Sequence, residues 1–273
     1  MTKDLIIEEL TNRGYFVKEQ NIIKNGCEIP GLTVFKDADD RIAPTIYPDD
    51  ILLNARNKCL SDEEVIEGII CMISKDFDFD IKKLTDIDYI VDHVHIGVQK
   101  IGTENIVKRK SPYEGIEEYL YLRGTNNRQS FSVKIKPQML KIAGLTQNQL
   151  FLIAERNNHD EFTAEPLFLS VPGLPYDNQN VEMPASEQVY VISNRLSFKG
   201  ASAMLDKKSI QELGTKIGVE KFVLLPSSIH ECILVPITTD VNMKFFDSMV
   251  REVNACAVEN RDQLIDRAYL ITL

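Results

Sequence analysis

The residue types best suited to chemistry gather in the stretch Phe222 to Ile237, FVLLPSSIHECILVPI, where Ser227, Ser228, His230 and Glu231 stand between two apolar runs. Hydroxyl, imidazole and carboxylate are the parts of a nucleophilic hydrolase, and they act only when all three converge. In an extended segment neighbouring side chains point to opposite faces, so His230 and Glu231 diverge and a self-contained triad is not expected. Ser228, His230 and Glu231 are the catalytic candidates. The binding candidates are Asn194, Gly200, Ser227, Ser228, His230 and Glu231, with His230 or Glu231 expected to tie the hairpin to the loop from Asn194 to Gly200. A cleft is then expected between that loop and the Pro-rich connection at 158–186.

A second pair with chemical potential is His93 and His95. Read as a long strand, Ile87 to Val98 puts both imidazoles on one face, a spacing that suits metal ligation. A zinc site needs a third ligand, which one strand does not supply, so no metal is expected and His93 and His95 are the metal candidates. The run Asp76-Phe77-Asp78-Phe79-Asp80 imitates the start of a calcium loop, but Ile81 stands where the turn needs glycine and Ile87 where the bidentate glutamate belongs. It is read as an acidic connector. P-loop, dinucleotide-binding glycine, HExxH, CxxC and GxSxG patterns are all missing from the chain, and no cofactor is expected.

These residues need a scaffold, and the hydrophobic pattern predicts one. Leu5, Ile6 and Leu10 mark a helix ending at Gly14; strands follow at Tyr15–Ile23, Ile29–Phe35 and Ile42–Tyr47, the first two joined by an Asn25-Gly26 turn. Pro48 opens a second helix, and Ser61 with Glu64 forms a capping box for a third carrying Val65, Ile66, Ile69, Ile70 and Ile73. Tyr113 to Leu122 reads equally as helix or strand. Phe131, Val133 and Ile135 alternate as a strand, and Thr146 with Gln149 caps a helix through Asn157. In the last part, Gln188–Ser193 and Ala201–Leu205 read as strands, a helix runs from Asp206 to Gly218, and the hairpin follows. A final helix spans Asn242–Ala255, with Phe245, Phe246, Met249, Val250 and Val253 expected inward.

The expected class is α+β, with mainly antiparallel sheets, helices on one face, two lobes, and a C-terminal lobe of order ββαββα. The segments are 1–85, an N-terminal α+β lobe; 86–186, central strands, a helix and the Pro-rich connection; and 187–273, the C-terminal lobe.

At 273 residues, 44% hydrophobic and 26% charged, the chain has the make-up of an ordinary globular protein. Five cysteines without a close pair argue against a disulfide framework and are read as reduced, mostly buried thiols. No apolar run is long enough to span a membrane, and the start of the chain is acidic and amphipathic, so a cytoplasmic location without membrane attachment is expected. The net charge of −10 opposes nucleic-acid binding. Residues 1–100 hold 20 acidic and 12 basic side chains; the short basic run is Lys108, Arg109 and Lys110.

Four segments together carry a resemblance: Ala43-Pro44-Thr45-Ile46-Tyr47; Val189 to Asn194 followed by Gly200-Ala201; Leu225-Pro226-Ser227-Ser228-Ile229-His230-Glu231; and Met249 to Asn254. They resemble an uncharacterised domain-of-unknown-function family of anaerobic gut bacteria and their mobile elements. The resemblance implies a cytoplasmic bacterial protein and lends weight to a role in transfer, takeover or evasion of defence.

The function expected is that of a non-catalytic binding or interaction protein whose partner is a protein or a small-molecule ligand. One alternative is a metal-assisted hydrolase or nuclease using His230 and Glu231. Another is an acidic decoy that inhibits a nucleic-acid-binding host protein, resting on the excess of acid in residues 1–100.

Overall fold

In the computed structural model the Thr2 hydroxyl accepts from Leu5 N at 3.3 Å and starts helix α1 (Lys3–Asn12), which buries Ile6 and Leu10. Strands β1 (Phe16–Lys24) and β2 (Cys27–Phe35) pair antiparallel across Asn25 and Gly26, both at positive φ, 48° and 76°. That geometry is what an Asn-Gly hairpin turn requires. A short β3 (Thr45–Ile46) completes the sheet in the order β1-β2-β3. Helix α2 (Pro48–Lys58) has proline in its first turn, and α3 (Asp62–Ile73) has the Ser61–Glu64 capping box, Glu64 N donating to Ser61 Oγ at 3.3 Å and Ser61 N to Glu64 Oε2 at 2.8 Å. The core of this unit is Ile6, Leu10, Leu32, Val34, Ile46, Val65, Ile66 and Ile69.

The described residues are 1–40, 43–74, 80–126, 129–170 and 183–273, and the chain divides into two compact units, Met1–Phe79 and Asp80–Leu273. Residues 76–79 of the acidic run and residues 171–182 of the Pro-rich connection at 158–186 lie outside the described residues. Among the described residues no helix is long and apolar enough to cross a membrane.

Among its described residues the second unit holds two antiparallel sheets. In one, β4 (Val94–Lys100) and β6 (Ile116–Asn126) pair along their length. On the other side of β6, β5 (Lys108–Lys110) and β7 (Gln129–Lys134) bind in series. Helix α5 (Pro137–Ala143) follows. Next, α6 (Gln147–His159), started by the expected Thr146–Gln149 capping box, buries Leu150, Phe151 and Ala154 against Val94, Ile96, Leu120 and Leu122. The second sheet has the order β12-β10-β11-β9-β8, made of β8 (Phe162–Pro166), β9 (Tyr190–Asn194), β10 (Lys221–Leu225), β11 (Cys232–Pro236) and β12 (Tyr269–Thr272). Hydrogen bonding thus joins β8, from the central segment, to β9 of the C-terminal segment. The class is α+β with antiparallel sheets, as expected.

Four local expectations are corrected. Ile87 to Val98 is not one strand: Ile87–His93 is helix α4, and the strand begins at Val94. Asp86 accepts from Tyr89 N at 3.0 Å as a helix cap, and Ile87, Ile90, Val91 and Val94 follow the i, i+3, i+4, i+7 spacing of a helix, while alternation holds only from Val94 through Ile96 to Val98. Gly200–Leu205 is a 3-10 helix rather than a strand, so the C-terminal order departs from ββαββα. Residues Gly200 to Met204 are buried in succession, and a short run buried on all sides carries no period. In the last helix (Met243–Cys256) Val250 and Asn254 face inward with Phe246 partly covered. Phe245, Met249 and Val253, one position off that i, i+4 stripe, are exposed. Finally, Cys59, Cys71 and Cys256 are exposed; only Cys232 is fully buried, where burial pushes its thiol pKa up.

Candidate functional site

Strand pairing sets the site. His95 on β4 stands opposite Tyr121 on β6, and Arg123 lies two residues further along β6. Directly paired side chains share a face and so do residues two apart, so His95, Tyr121 and Arg123 project to one side of the sheet. The other side carries Val94, Ile96, Leu120 and Leu122 into the core beneath α6. On the His95 side the loop after β9 closes over the sheet: Phe198 packs with Tyr119 and Tyr121, and Lys199 Nζ lies 4.9 Å from the Tyr121 ring centre and 5.4 Å from that of Tyr119.

Between these elements lies a cleft of about 460 Å³. Its lining is Asp92 and His93 from the end of α4, His95, Arg123 and Gly124 from the sheet, Asn157 from α6, Asp160 and Glu161 just beyond it, and Arg195 and Leu196 from the loop. Two asparagines at the end of α6 hold the walls together. Asn157 Nδ2 donates to Val91 O and Val94 O, at 3.0 and 2.9 Å. Asn158 accepts from Ile96 N at 3.1 Å and donates to Ile96 O and Ser202 Oγ. The α4–β4 junction is thereby fixed to α6 by side chains that mimic a strand partner.

Two polar side chains on the cleft wall are more than nine-tenths buried. His95 is 5% and Arg123 8% exposed. Arg123 Nη2 donates to the Glu161 carboxylate, and Glu161 O accepts from Arg195 N at 3.1 Å, which binds the loop to the same pair. Arg123 Nη1 and His95 Nδ1 have no hydrogen-bond partner among the described residues. Burial, reinforced by the Arg123 charge, pulls the His95 pKa down to about 4, so the imidazole is neutral near pH 7. His93 is occupied differently: its Nδ1–H donates to Tyr89 O at 2.9 Å, and its ring stacks on Tyr89 with centres 3.9 Å apart. His93 and His95 therefore border one cleft, though from a helix end and a strand and not from one strand face. Among the described residues, no three His, Cys, Asp or Glu side chains are grouped to hold a metal ion.

The hairpin residues occupy a different place. Ser228 Oγ accepts from His230 N at 3.0 Å, so the hydroxyl holds the turn and does not meet the imidazole. His230 Nδ1 accepts from Lys199 N at 3.3 Å, His230 O accepts from Ser193 Oγ at 2.8 Å, and His230 Nε2 lies 3.8 Å from Asp262 Oδ1. Ser227 O accepts from Leu264 N at 3.1 Å. Asn194 Oδ1 accepts from Leu196 N and Phe198 N while its Nδ2 donates to Phe198 O, shaping the loop from within. Gly200 makes the approach possible: a Cβ there would strike Ser193 Oγ and come 2.7 Å from both Asn194 N and His230 O. The structure thus joins Asn194, Gly200, Ser228 and His230 as the support of the loop whose Arg195 and Leu196 face the cleft. Glu231 takes no part in these bonds.

A second depression of about 400 Å³ contains His159, Asp206, Lys207 and Lys208. His159 Nδ1 meets Asp206 Oδ2 at 2.7 Å and Ser209 Oγ at 3.2 Å, and Ser209 Oγ donates to Asp206 Oδ2 at 2.8 Å. Serine and aspartate address the same ring nitrogen, whereas a hydrolytic relay needs them on opposite nitrogens. Burial pushes the Asp206 carboxyl up, but hydrogen bonds from Ser209 N, His159 and the Ser209 hydroxyl outweigh it and hold the carboxyl below its usual range. Asp206 caps the helix Lys207–Ile217, and the trio is accounted for by that cap.

Arg123, Asn157, Glu161 and Arg195 escape the sequence reading. The signals for them are a single arginine inside the apolar strand Tyr119-Leu120-Tyr121-Leu122-Arg123, and the polar run Asn157 to Glu161 at the end of an amphipathic helix.

A family model described as a family of unknown function (DUF5688) matches residues 2–271, and the chain belongs to that family. No curated protein matches it, and no solved structure does.

Proposed function

For a member of a family to which no activity is assigned, we propose a non-catalytic, cytoplasmic binding protein that holds a small polar molecule in the cleft of His95 and Arg123. The observation that carries this reading is an accessible cleft lined by two buried polar side chains, His95 and Arg123, each of which has one nitrogen, Nδ1 and Nη1, without a partner among the described residues. A buried donor or acceptor without a partner costs about 1–3 kcal/mol, more when charged, and a ligand that meets both atoms recovers that cost on binding. The volume lies within the ~300–1,000 Å³ range of small-molecule pockets. The scaffold supports it as well, since Asn157, Asn158 and the Arg123–Glu161 pair hold the walls in one arrangement before any ligand arrives. Among the described residues the cleft's lining has no hydroxyl or thiol group, so a serine, threonine or cysteine nucleophile is not among the groups it offers.

The test is a thermal-shift and calorimetric screen of small polar compounds on the full chain, run beside Leu196→Trp. Leu196 is 53% exposed, so the larger ring is tolerated by the fold while it blocks the cleft. Compounds that bind wild type and lose at least tenfold in affinity in Leu196→Trp support the site. Compounds that bind both proteins equally refute it.

A further inference from the structure

Resting on the cleft as a binding site, we infer that its ligand is a zwitterion carrying a carboxylate and an ammonium group, as in a free α-amino acid. The cleft is chemically divided. Its deep wall is lined by two donor side chains: the Arg123 guanidinium, with Nη1 unpartnered among the described residues, and the His95 imidazole, which is neutral and can keep its single proton on the equally unpartnered Nδ1. Two donors, one of them charged, suit a carboxylate. The outer lining is acidic. Asp92 and Asp160 are exposed there, and neither takes part in an ion pair among the described residues.

The charge count separates this class from a simple anion. Setting the imidazoles aside, the lining holds, among the described residues, two guanidinium groups, Arg123 and Arg195, against three carboxylates, Asp92, Asp160 and Glu161. One negative charge is left over, and Glu161 already neutralises Arg123. A phosphate dianion would bring two more negative charges to a surface that is negative already, and would be repelled. A molecule with acceptor oxygens at one end and an ammonium at the other places each group against its complement: the carboxylate on Arg123 and His95, the ammonium on Asp92 and Asp160. A neutral sugar meets the donors and acceptors but leaves the separated charges unused.

The experiment is isothermal titration calorimetry with the twenty standard L-amino acids taken singly, then with the decarboxylated amine and the deaminated acid of any that bind, and with inorganic phosphate and D-glucose. The expected result is saturable binding of at least one amino acid, with its amine and its acid each at least tenfold weaker and phosphate without heat. Asp160→Asn and Asp92→Asn, both at exposed positions, should each weaken binding severalfold with an unchanged thermal melt. Arg123→Gln should abolish it. If Arg123→Gln fails to fold, the two aspartate variants carry the test. Binding of the acid alone as tightly as the amino acid, binding of phosphate, binding of glucose in preference, or no binding by any amino acid overturns the zwitterion. Among those outcomes, a phosphate or glucose signal lost in Leu196→Trp leaves the cleft standing as a site. A signal retained in Leu196→Trp removes the cleft as well.

Discussion

Lowering the pH from 7.5 to 5 should weaken the Asp80–Leu273 unit through one imidazole. The folded-state pKa of His95 is about 4, against 6.5 for an unperturbed histidine. The sign follows from proton binding. Between these two values the unfolded chain binds a proton that the folded chain refuses, so stability rises with pH and is lost as pH falls below 6.5. Every tenfold difference in proton affinity between the folded and unfolded chain corresponds to about 1.4 kcal/mol, so the full loss, reached below pH 4, is about 3 kcal/mol, and about 2 kcal/mol of it has gone by pH 5. Urea unfolding of wild type and His95→Gln, followed by circular dichroism at pH 7.5 and 5, reads the effect. Wild type should lose about 2 kcal/mol more than the variant between the two pH values. With only four histidines in the chain, NMR titration of the ring protons gives the pKa directly. Equal losses in both proteins, or a His95 resonance that titrates near 6.5, would refute the reasoning, because either result means the imidazole is freely hydrated.

Three further outcomes follow from the support of the loop and the packing beneath it. Gly200→Ala forces a methyl against Ser193 Oγ, Asn194 N and His230 O and should cost about 1–3 kcal/mol in chemical unfolding; a neutral change would show that the loop can shift away. His230→Ala removes the acceptor for Lys199 N and should cost about 0.5–1.5 kcal/mol, with ligand affinity changed less than by Leu196→Trp. If affinity instead disappears with the fold intact, the hairpin itself is the site. Alkylation of native protein with iodoacetamide at neutral pH should label Cys59, Cys71 and Cys256 and spare Cys232, which is buried with its thiol bonded to Ala201 O; mass spectrometry of the digest reads this, and early labelling of Cys232 contradicts the core packing.

What was legible in the sequence is what local chemistry determines. The Asn25-Gly26 turn, the Ser61–Glu64 and Thr146–Gln149 boxes and the Asp206 cap each specify an element by hydrogen bonds made within four residues. The hairpin around Ser227 and Ser228 was legible for the same reason. Ile87 to Val98 was not, because the alternation of Val94, Ile96 and Val98 invites extension back over Ile87 to Val91, whose helical spacing and Asp86 cap start a helix. The cleft lay furthest from view. His95, Arg123, Glu161 and Arg195 come from separate elements, and strand register alone brings them together. The polar cluster at 227–231 drew attention by its density, yet its Ser228 and His230 are engaged in holding a turn and a loop. Of the two groups with unpartnered atoms, His95 reads from the sequence only as a metal candidate beside His93, and Arg123 follows a segment whose helix or strand character the sequence leaves open.

The most direct test of the central claim is a crystallographic screen in which crystals of the full chain are soaked with small polar fragments, amino acids among them. The account predicts fragments in the cleft with an acceptor atom within hydrogen-bond distance of Arg123 Nη1 and a polar atom against His95 Nδ1. Data sets in which those two atoms meet only ordered water, while fragments collect elsewhere on the surface, would contradict it.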